Sequence, residues 1–231
     1  MIAAGRPKVE ALLFDVFGTC VDWRGSVARQ VADALPGVDA TAFADAWRAE
    51  YQPSMAPVRA GQRAYVPLDD LHLENLHRVA ARLGVTAPDS LNAAWERLDP
   101  WADVVAGLTR LRARYIVAPC SNGSIAMMTR LARHAGLPWD CILGADIAQD
   151  FKPAPIVYRA ACAALRLPPE RVMMVAAHND DLRAARAAGL ATAFMARPGE
   201  HGPGQSADLA PTDDRDVAAR DFLELAERMD A

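Results

Sequence analysis

Asp15 closes the apolar run "ALLF" and opens the turn "DVFGT". A carboxylate at a strand end faces the backbone N–H groups of the following turn, which orient it without neutralising it, so Asp15 is a candidate nucleophile. The alternative is an Asp that caps the turn. Phe17, two places on, cannot transfer a proton. Thr19, Ser121 and Asn122 carry hydroxyl and amide groups suited to binding a carboxylate or a departing anion, although Ser-Asn-Gly is also a common loop. Arg48 offers a planar, permanently charged guanidinium that suits a leaving anion, with a solvated helix arginine as the alternative. Lys152 can keep a nearby carboxylate ionised. Tyr158 reads equally as a core residue. His178 can orient or deprotonate a water, or serve as a hydrogen-bonded structural residue.

The elements that must position these groups alternate in type. "ALLFDVF", "YIVAPC", "RVMMVAA" and "LATAFMA" read as buried strands, and "DVVAGLTRLRAR", "SIAMMTRLARHAG", "PIVYRAACAALRL" and "DLRAARAAGL" as the helices between them. That alternation implies an α/β fold with a doubly wound parallel sheet. In such a sheet ligands bind beyond the carboxyl ends of the strands, where Asp15, the Ser121 loop, Lys152 and the segment His178–Asp181 all fall. From about Trp23 to Pro100 the pattern is helical throughout: Val27, Val31 and Leu35 behind a Ser26 cap; Phe43, Trp47 and Tyr51; Leu76, Val79 and Leu83; and Leu91, Trp95 and Leu98. The stretch "QPSMAPVRAGQRAYVP" reads as a linker between two of these helices. Residues 1–22 and 101–231 are therefore expected to form a Rossmann-like core, with 23–100 inserted as a helical bundle. The stretch "RPGEHGPGQSADL" reads as a Gly/Pro-rich loop that either rims the site or simply connects, before a closing helix at about Ala218 to Met229. "ARPGEHGPG" can reach the sheet edge through Arg197 or His201, but the favoured reading is a surface loop with both residues outside the chemistry.

Taken in order across nearly the whole chain, "FDVFGT", "WR" at Trp47-Arg48, "SNG" at Ser121 to Gly123, "FKP" with Tyr158 downstream, and "HNDDLRAARAAG" resemble the haloacid dehalogenase superfamily. Within it they resemble the type II 2-haloacid dehalogenases. The resemblance implies a Rossmannoid core with an inserted helical cap, and an (S)-2-haloacid dehalogenase-like hydrolase acting on carbon–halide bonds. In that family's mechanism Asp15 would displace the halide through an aspartyl ester, water would then attack that ester, and no metal or other cofactor would be required. Arg48 would close over the site and hold the halide, Lys152 would keep Asp15 ionised, and Tyr158 would match a family tyrosine. The superfamily's phosphatases carry a second Asp where Phe17 stands and use Mg²⁺, so Phe17 weighs against phosphate chemistry. Better-known members have small hydroxyl residues and an Asn where this chain has Ala176, Ala177 and His178. Asp181 keeps the family's acidic position, and Asp181 held by Lys152 is the favoured water-organising pair.

Composition bounds the alternatives. The chain has 231 residues, 52% hydrophobic and 23% charged, with a formal net charge of -4. That charge comes without a basic stripe, so the expected partners are a small 2-haloacid and a halide ion, with no nucleic acid and no membrane. "MIAAGRPKVE" lacks the apolar run of a signal peptide, and the four cysteines have no metal-ligand spacing. A cytoplasmic protein is expected, and the resemblance implies a homodimer. Two other enzyme readings stay open: the same Asp ester formed on another small carboxylate-bearing electrophile, and a Mg²⁺-dependent phosphatase. A binding domain without turnover is a third reading.

Overall fold

A computed structural model of the chain describes residues 8–212 and 216–231; most of the "MIAAGRPKVE" segment, residues 1–7, lies outside the described residues. The first half contains β1 (Ala11–Phe14), β2 (Val21–Asp22), α1 (Trp23–Ala34), α2 (Ala40–Ala49), α3 (Tyr51–Arg59), α4 (Leu68–Arg82), a 3-10 helix (Asp89–Glu96), β3 (Asp99–Pro100) and α5 (Val104–Arg112). The second half runs β4 (Ile116–Ser121), α6 (Ile125–Ala135), β5 (Leu143–Gly144), α7 (Ala145–Ala148), α8 (Pro155–Ala164), β6 (Val172–Ala176), α9 (Asn179–Ala187), β7 (Ala191–Met195), β8 (Val217–Ala219) and α10 (Phe222–Arg228).

Six strands form one sheet in the order β5-β4-β1-β6-β7-β8. Every pairing in it is parallel. Helical crossovers cover both faces, so β1 and β6 are buried at every position and their sequences are continuous apolar runs without alternation. The chain leaves β1 toward β4 on one side and returns through β6 on the other. This reversal is the topological switch point at which α/β sheets hold ligands. Asp15 follows β1, Asn122 follows β4, and His178 stands two residues beyond β6. Helix α6 stops where the sequence predicts, with Gly136 in the left-handed conformation at φ 68°. No helix among the described residues is long and apolar enough to cross a membrane.

β2 and β3 pair antiparallel, Asp22 against Asp99, so the helical segment leaves and rejoins the sheet side by side. Its interior is aromatic: Trp23, Phe43, Trp47 and Trp95 are almost fully buried, and Phe17 of the sheet domain packs edge-on against Trp95 at 5.8 Å.

Four local expectations are corrected. The proline-bearing linker is partly a helix, α3: Pro53 lies in its first turn, where no intrahelical N–H bond is needed, Pro57 is carried inside it, and Tyr51, Ser54, Met55 and Val58 share a buried face. Ser26 is not the cap of α1. Asp22 accepts from Gly25 N–H at 2.8 Å, and Ser26 Oγ instead accepts from Asp99 N–H at 2.9 Å, tying the helix start to β3. The fourth cap helix is a 3-10 turn that ends before Leu98. The closing helix starts only at Phe222, capped by Asp221, because Val217–Ala219 adds the last strand.

Candidate active site

Asp15 sits one residue past β1, its N–H donating to Val175 O at 3.0 Å, with its side chain nearly buried. Lys152 Nζ donates to Asp15 Oδ1 at 2.9 Å and to Asp181 Oδ2 at 2.5 Å, and the Tyr158 hydroxyl donates to Asp181 Oδ1 at 2.6 Å. Thr19 Oγ1 donates to Asp15 Oδ2 at 2.7 Å and accepts from Ala177 N–H at 2.9 Å, which locks the turn after β1 to the end of β6. Burial alone would raise the Asp15 pKa, but the Lys152 ammonium and His178 outweigh it and hold the carboxyl well below the usual range. Burial would likewise discharge Lys152, and Asp15 and Asp181 reverse that, holding it as the ammonium. Burial, then the Asp181 charge, pushes the Tyr158 hydroxyl up, so it stays a proton donor. Asn122 Oδ1 accepts from Lys152 N–H at 2.6 Å and so fixes the loop that carries the lysine.

His178 bridges two carboxylates. Its Nδ1 is 3.2 Å from Asp15 Oδ2, and its Nε2 is 2.9 Å from Glu200 Oε2. Burial would lower the His178 pKa, but hydrogen bonds to Asp15 and Glu200 raise it well above that of a free imidazole. Burial would raise Glu200, and His178 brings it below the ordinary value. The Trp23 indole N–H donates to Glu200 Oε1 at 3.1 Å. Glu200 is 1% exposed, so the surface loop expected at "ARPGEHGPG" carries a buried side chain into the site while Pro198, Gly199, His201, Pro203 and Gly204 remain exposed. Arg197 is buried too: its Nε donates to Thr19 O at 2.9 Å, and its terminal nitrogens donate to both Asp103 oxygens at 3.0 and 2.8 Å. Arg197 and Glu200 thus anchor the loop, and His201 borders the cavity above Asp15.

Glu200 is the site residue that sequence reasoning missed, and the signal for it lay in the opening motif. Gly18 has φ +88°, and a Cβ built there would come within 2.1 Å of Glu200 Oε1. The glycine makes the turn and leaves the space that the carboxylate fills. Gly18→Ala is expected to destabilise the protein by about 1–3 kcal/mol through backbone strain and to displace Glu200. Urea unfolding checks this, and an unchanged midpoint would contradict it.

Above Asp15 lies a cavity of about 510 Å³ whose wall includes Asp15, Phe17, Arg48, Asn122, Lys152 and His178. The Arg48 guanidinium carbon lies 4.0 Å from the Tyr51 ring centroid, 5.3 Å from Trp23 and 5.9 Å from Phe17. Its Nη1 is buried and has no hydrogen-bond partner among the described residues. A buried, unsatisfied cationic donor is unfavourable unless an anion or water completes it. Asp181 also borders the cavity, whereas Thr19, Ser121 and Tyr158 do not. Ser121 Oγ accepts from Gly123 N–H at 3.1 Å, so these three hold other site groups in place instead of facing the cavity.

The Phe17 side chain offers no oxygen to a hard divalent ion, and the Lys152 ammonium already stands between the Asp15 and Asp181 carboxylates and balances their charge.

A family profile described as haloacid dehalogenase-like hydrolase matches residues 9–189. The (S)-2-haloacid dehalogenase 4A of Burkholderia cepacia is 30% identical over 201 residues, which cover 83% of this chain and 85% of that protein. The crystal structure of a defluorinating L-2-haloacid dehalogenase is similar with a TM-score of 0.94 at 49% identity over 96% of each chain. That of another L-2-haloacid dehalogenase gives a TM-score of 0.92 at 47% identity, covering 96% of this chain and 99% of that one.

Proposed function

The chain belongs to the haloacid dehalogenase-like hydrolases, and from that premise we propose that it hydrolyses short 2-haloalkanoic acids to 2-hydroxy acids through an ester on Asp15. One observation carries the reading: an ionised, cation-clamped carboxylate shares a cavity with a buried arginine whose Nη1 lacks a partner. Asp15 attacks the halogen-bearing carbon in line. A carboxylate oxygen–carbon bond forms as the carbon–halogen bond breaks, with inversion, and the halide leaves toward Arg48 in its cradle of Phe17, Trp23 and Tyr51. No proton is needed on the leaving group, which is why Phe17 can occupy a position where a phosphatase needs an acid.

Water then attacks the carbonyl carbon of the Asp15 ester. His178, rather than the Asp181–Lys152 pair favoured from the sequence, takes the water's proton in this reading, with Glu200 orienting the ring and stabilising the imidazolium. Its Nδ1 is 3.2 Å from Asp15 Oδ2, whereas both Asp181 oxygens already accept from Lys152 and Tyr158. Esterification removes the charge on Asp15, one of the two anions that hold the proton on His178, and so frees the imidazole for the second step. Lys152 and Asp181 hold the resting carboxylate, Asn122 borders the substrate space, and Thr19, Ser121 and Tyr158 act as positioning residues. Glu200→Gln keeps the shape of the dyad and removes its charge. It is expected to slow ester hydrolysis by about 10²-fold and to let the Asp15 ester accumulate as a covalent adduct visible by intact mass. A slower halide burst without an adduct would assign Glu200 to the first step instead.

The reading is tested by incubating the protein with 2-chloropropionate and with fluoroacetate in EDTA and following halide release. A similar protein is named as defluorinating, and this makes fluoroacetate the informative second substrate. Turnover of p-nitrophenyl phosphate with Mg²⁺ and of neither haloacid would sink it. We further take residues 23–100 as a cap over a core of 1–22 and 101–231. A cytoplasmic homodimer completes the reading, supported by four unpaired cysteines and by the family resemblance, and light scattering checks the mass.

A further inference from the structure

We propose that His178, Glu200 and His201 form a binding site for one divalent ion of the zinc class at the mouth of the cavity, and that filling it arrests turnover. The site stands on geometry alone; the arrest rests on the dehalogenase reading above.

Each of the three residues offers a ligand atom, and these atoms all lie within 4.8 Å of one another. His178 Nε2 is 2.9 Å from Glu200 Oε2, and His201 Nε2 is 3.5 Å from Glu200 Oε1. Zinc–ligand bonds of about 2.0–2.2 Å place tetrahedral neighbours about 3.4 Å apart, and around the shared oxygen Oε1 the contacts are 3.1 Å to His178 Nε2 and 3.5 Å to His201 Nε2, within a few tenths of an ångström of what an ion requires. The remaining separation between the two histidine ligand atoms, within 4.8 Å, is closed by a small rotation of the exposed His201 side chain. Two imidazoles and one carboxylate leave a fourth position open, and both histidines border the cavity from which water would fill it.

The surroundings favour an ion independently of that triangle. Ligating histidines commonly donate their other ring nitrogen to a carboxylate, which fixes the tautomer and turns the ligating nitrogen outward. His178 has that partner in Asp15 Oδ2, 3.2 Å from its Nδ1. The Trp23 N–H on Glu200 Oε1 orients the carboxylate, whose oxygens keep further lone pairs for an ion. The Trp23 ring also packs edge-on against His201, with centroids 5.8 Å apart, and so holds the third ligand near the other two. Imidazole nitrogens select zinc, cobalt or nickel over magnesium, which keeps to oxygen. An ion there replaces the His178–Glu200 hydrogen bond and removes from use the pair assigned to ester hydrolysis.

The test is titration of the EDTA-stripped full chain with zinc by calorimetry, and with cobalt by absorption, beside His201→Ala. The exposed position of His201 keeps this variant folded. One ion per chain is expected, bound more than about tenfold more weakly by the variant. Cobalt should give ligand-field bands without a thiolate charge-transfer band. Halide release from 2-chloropropionate should fall in step with zinc occupancy and return with EDTA. Equal affinity in His201→Ala, a cobalt–thiolate band placing the ion on a cysteine, or full turnover at saturating zinc would each overturn the proposal. If no haloacid is turned over at all, the titrations still decide the site, and only the dehalogenase reading falls.

Discussion

Asp15→Asn is expected to lower halide release by at least about 10⁴-fold, the scale of losing a covalent nucleophile. The amide keeps the shape of the side chain but not its nucleophilic oxygen. Lys152 retains Asp181 at 2.5 Å and His178 retains Glu200 at 2.9 Å, so the two flanking ion pairs outlast the substitution. Substrate binding should therefore survive, and titration with 2-chloropropionate should show saturation without turnover. Residual activity near that of the native protein would move the nucleophile elsewhere. His178 or Asp181 activating a water directly against the substrate would then be the reading to pursue.

Lys152→Met has the second largest expected effect, on stability as well as rate. The methionine approximates the volume of the lysine stem but leaves Asp15 and Asp181 facing each other without their shared cation. Both carboxylates are about nine-tenths buried, so solvent screens little of the loss, and breaking such a pair costs about 3–5 kcal/mol. The pH dependence has a definite sign. In the native protein the Asp15 pKa is depressed, so its contribution is present above the unfolded carboxylate value and is lost as pH falls through the folded one. In the variant, burial and the like charge of Asp181 raise one carboxyl pKa, so folding takes up a proton and the variant recovers as pH falls. Urea unfolding at neutral and mildly acidic pH should show the deficit shrinking on the acid side. A deficit that widens there would mean that Lys152 does not hold Asp15 in its charged form.

How much of this was readable from the chain depended on how long each signal ran. β1 and β6 are buried at every position and appear as unbroken apolar runs, and β4 and β7 are buried beyond their first residues and largely apolar, so the parallel sheet was legible. β5 has two residues and β8 three, too few for any pattern, and they are held by neighbours instead of by their own composition. In α3, prolines concealed a helix because composition marks them as breakers; Pro53 falls in the first turn, and Pro57 is tolerated inside a helix whose Tyr51, Met55 and Val58 face is buried. Asp15, Lys152, Asp181 and His178 were found because each follows a strand end or lies in the next loop, where a parallel sheet converges its polar groups. Glu200 was missed because its loop has no period and its burial depends on Gly18, nearly the full chain away in sequence. The cradle around Arg48 was half legible: Trp47 drew attention as the neighbour in sequence, but Trp47 donates its indole N–H to His72 O at 2.9 Å, and Tyr51 is the ring that faces the guanidinium.

The central claim is that Asp15 becomes an ester and that water attacks its carbonyl carbon. A single turnover with enzyme in excess over 2-chloropropionate, run in ¹⁸O-labelled water and followed by peptide mass spectrometry, tests it most directly. One heavy oxygen is expected in the peptide that carries Asp15, with an unlabelled hydroxyl in the product; an unlabelled Asp15 with the label in the product hydroxyl would mean that water attacks the substrate directly.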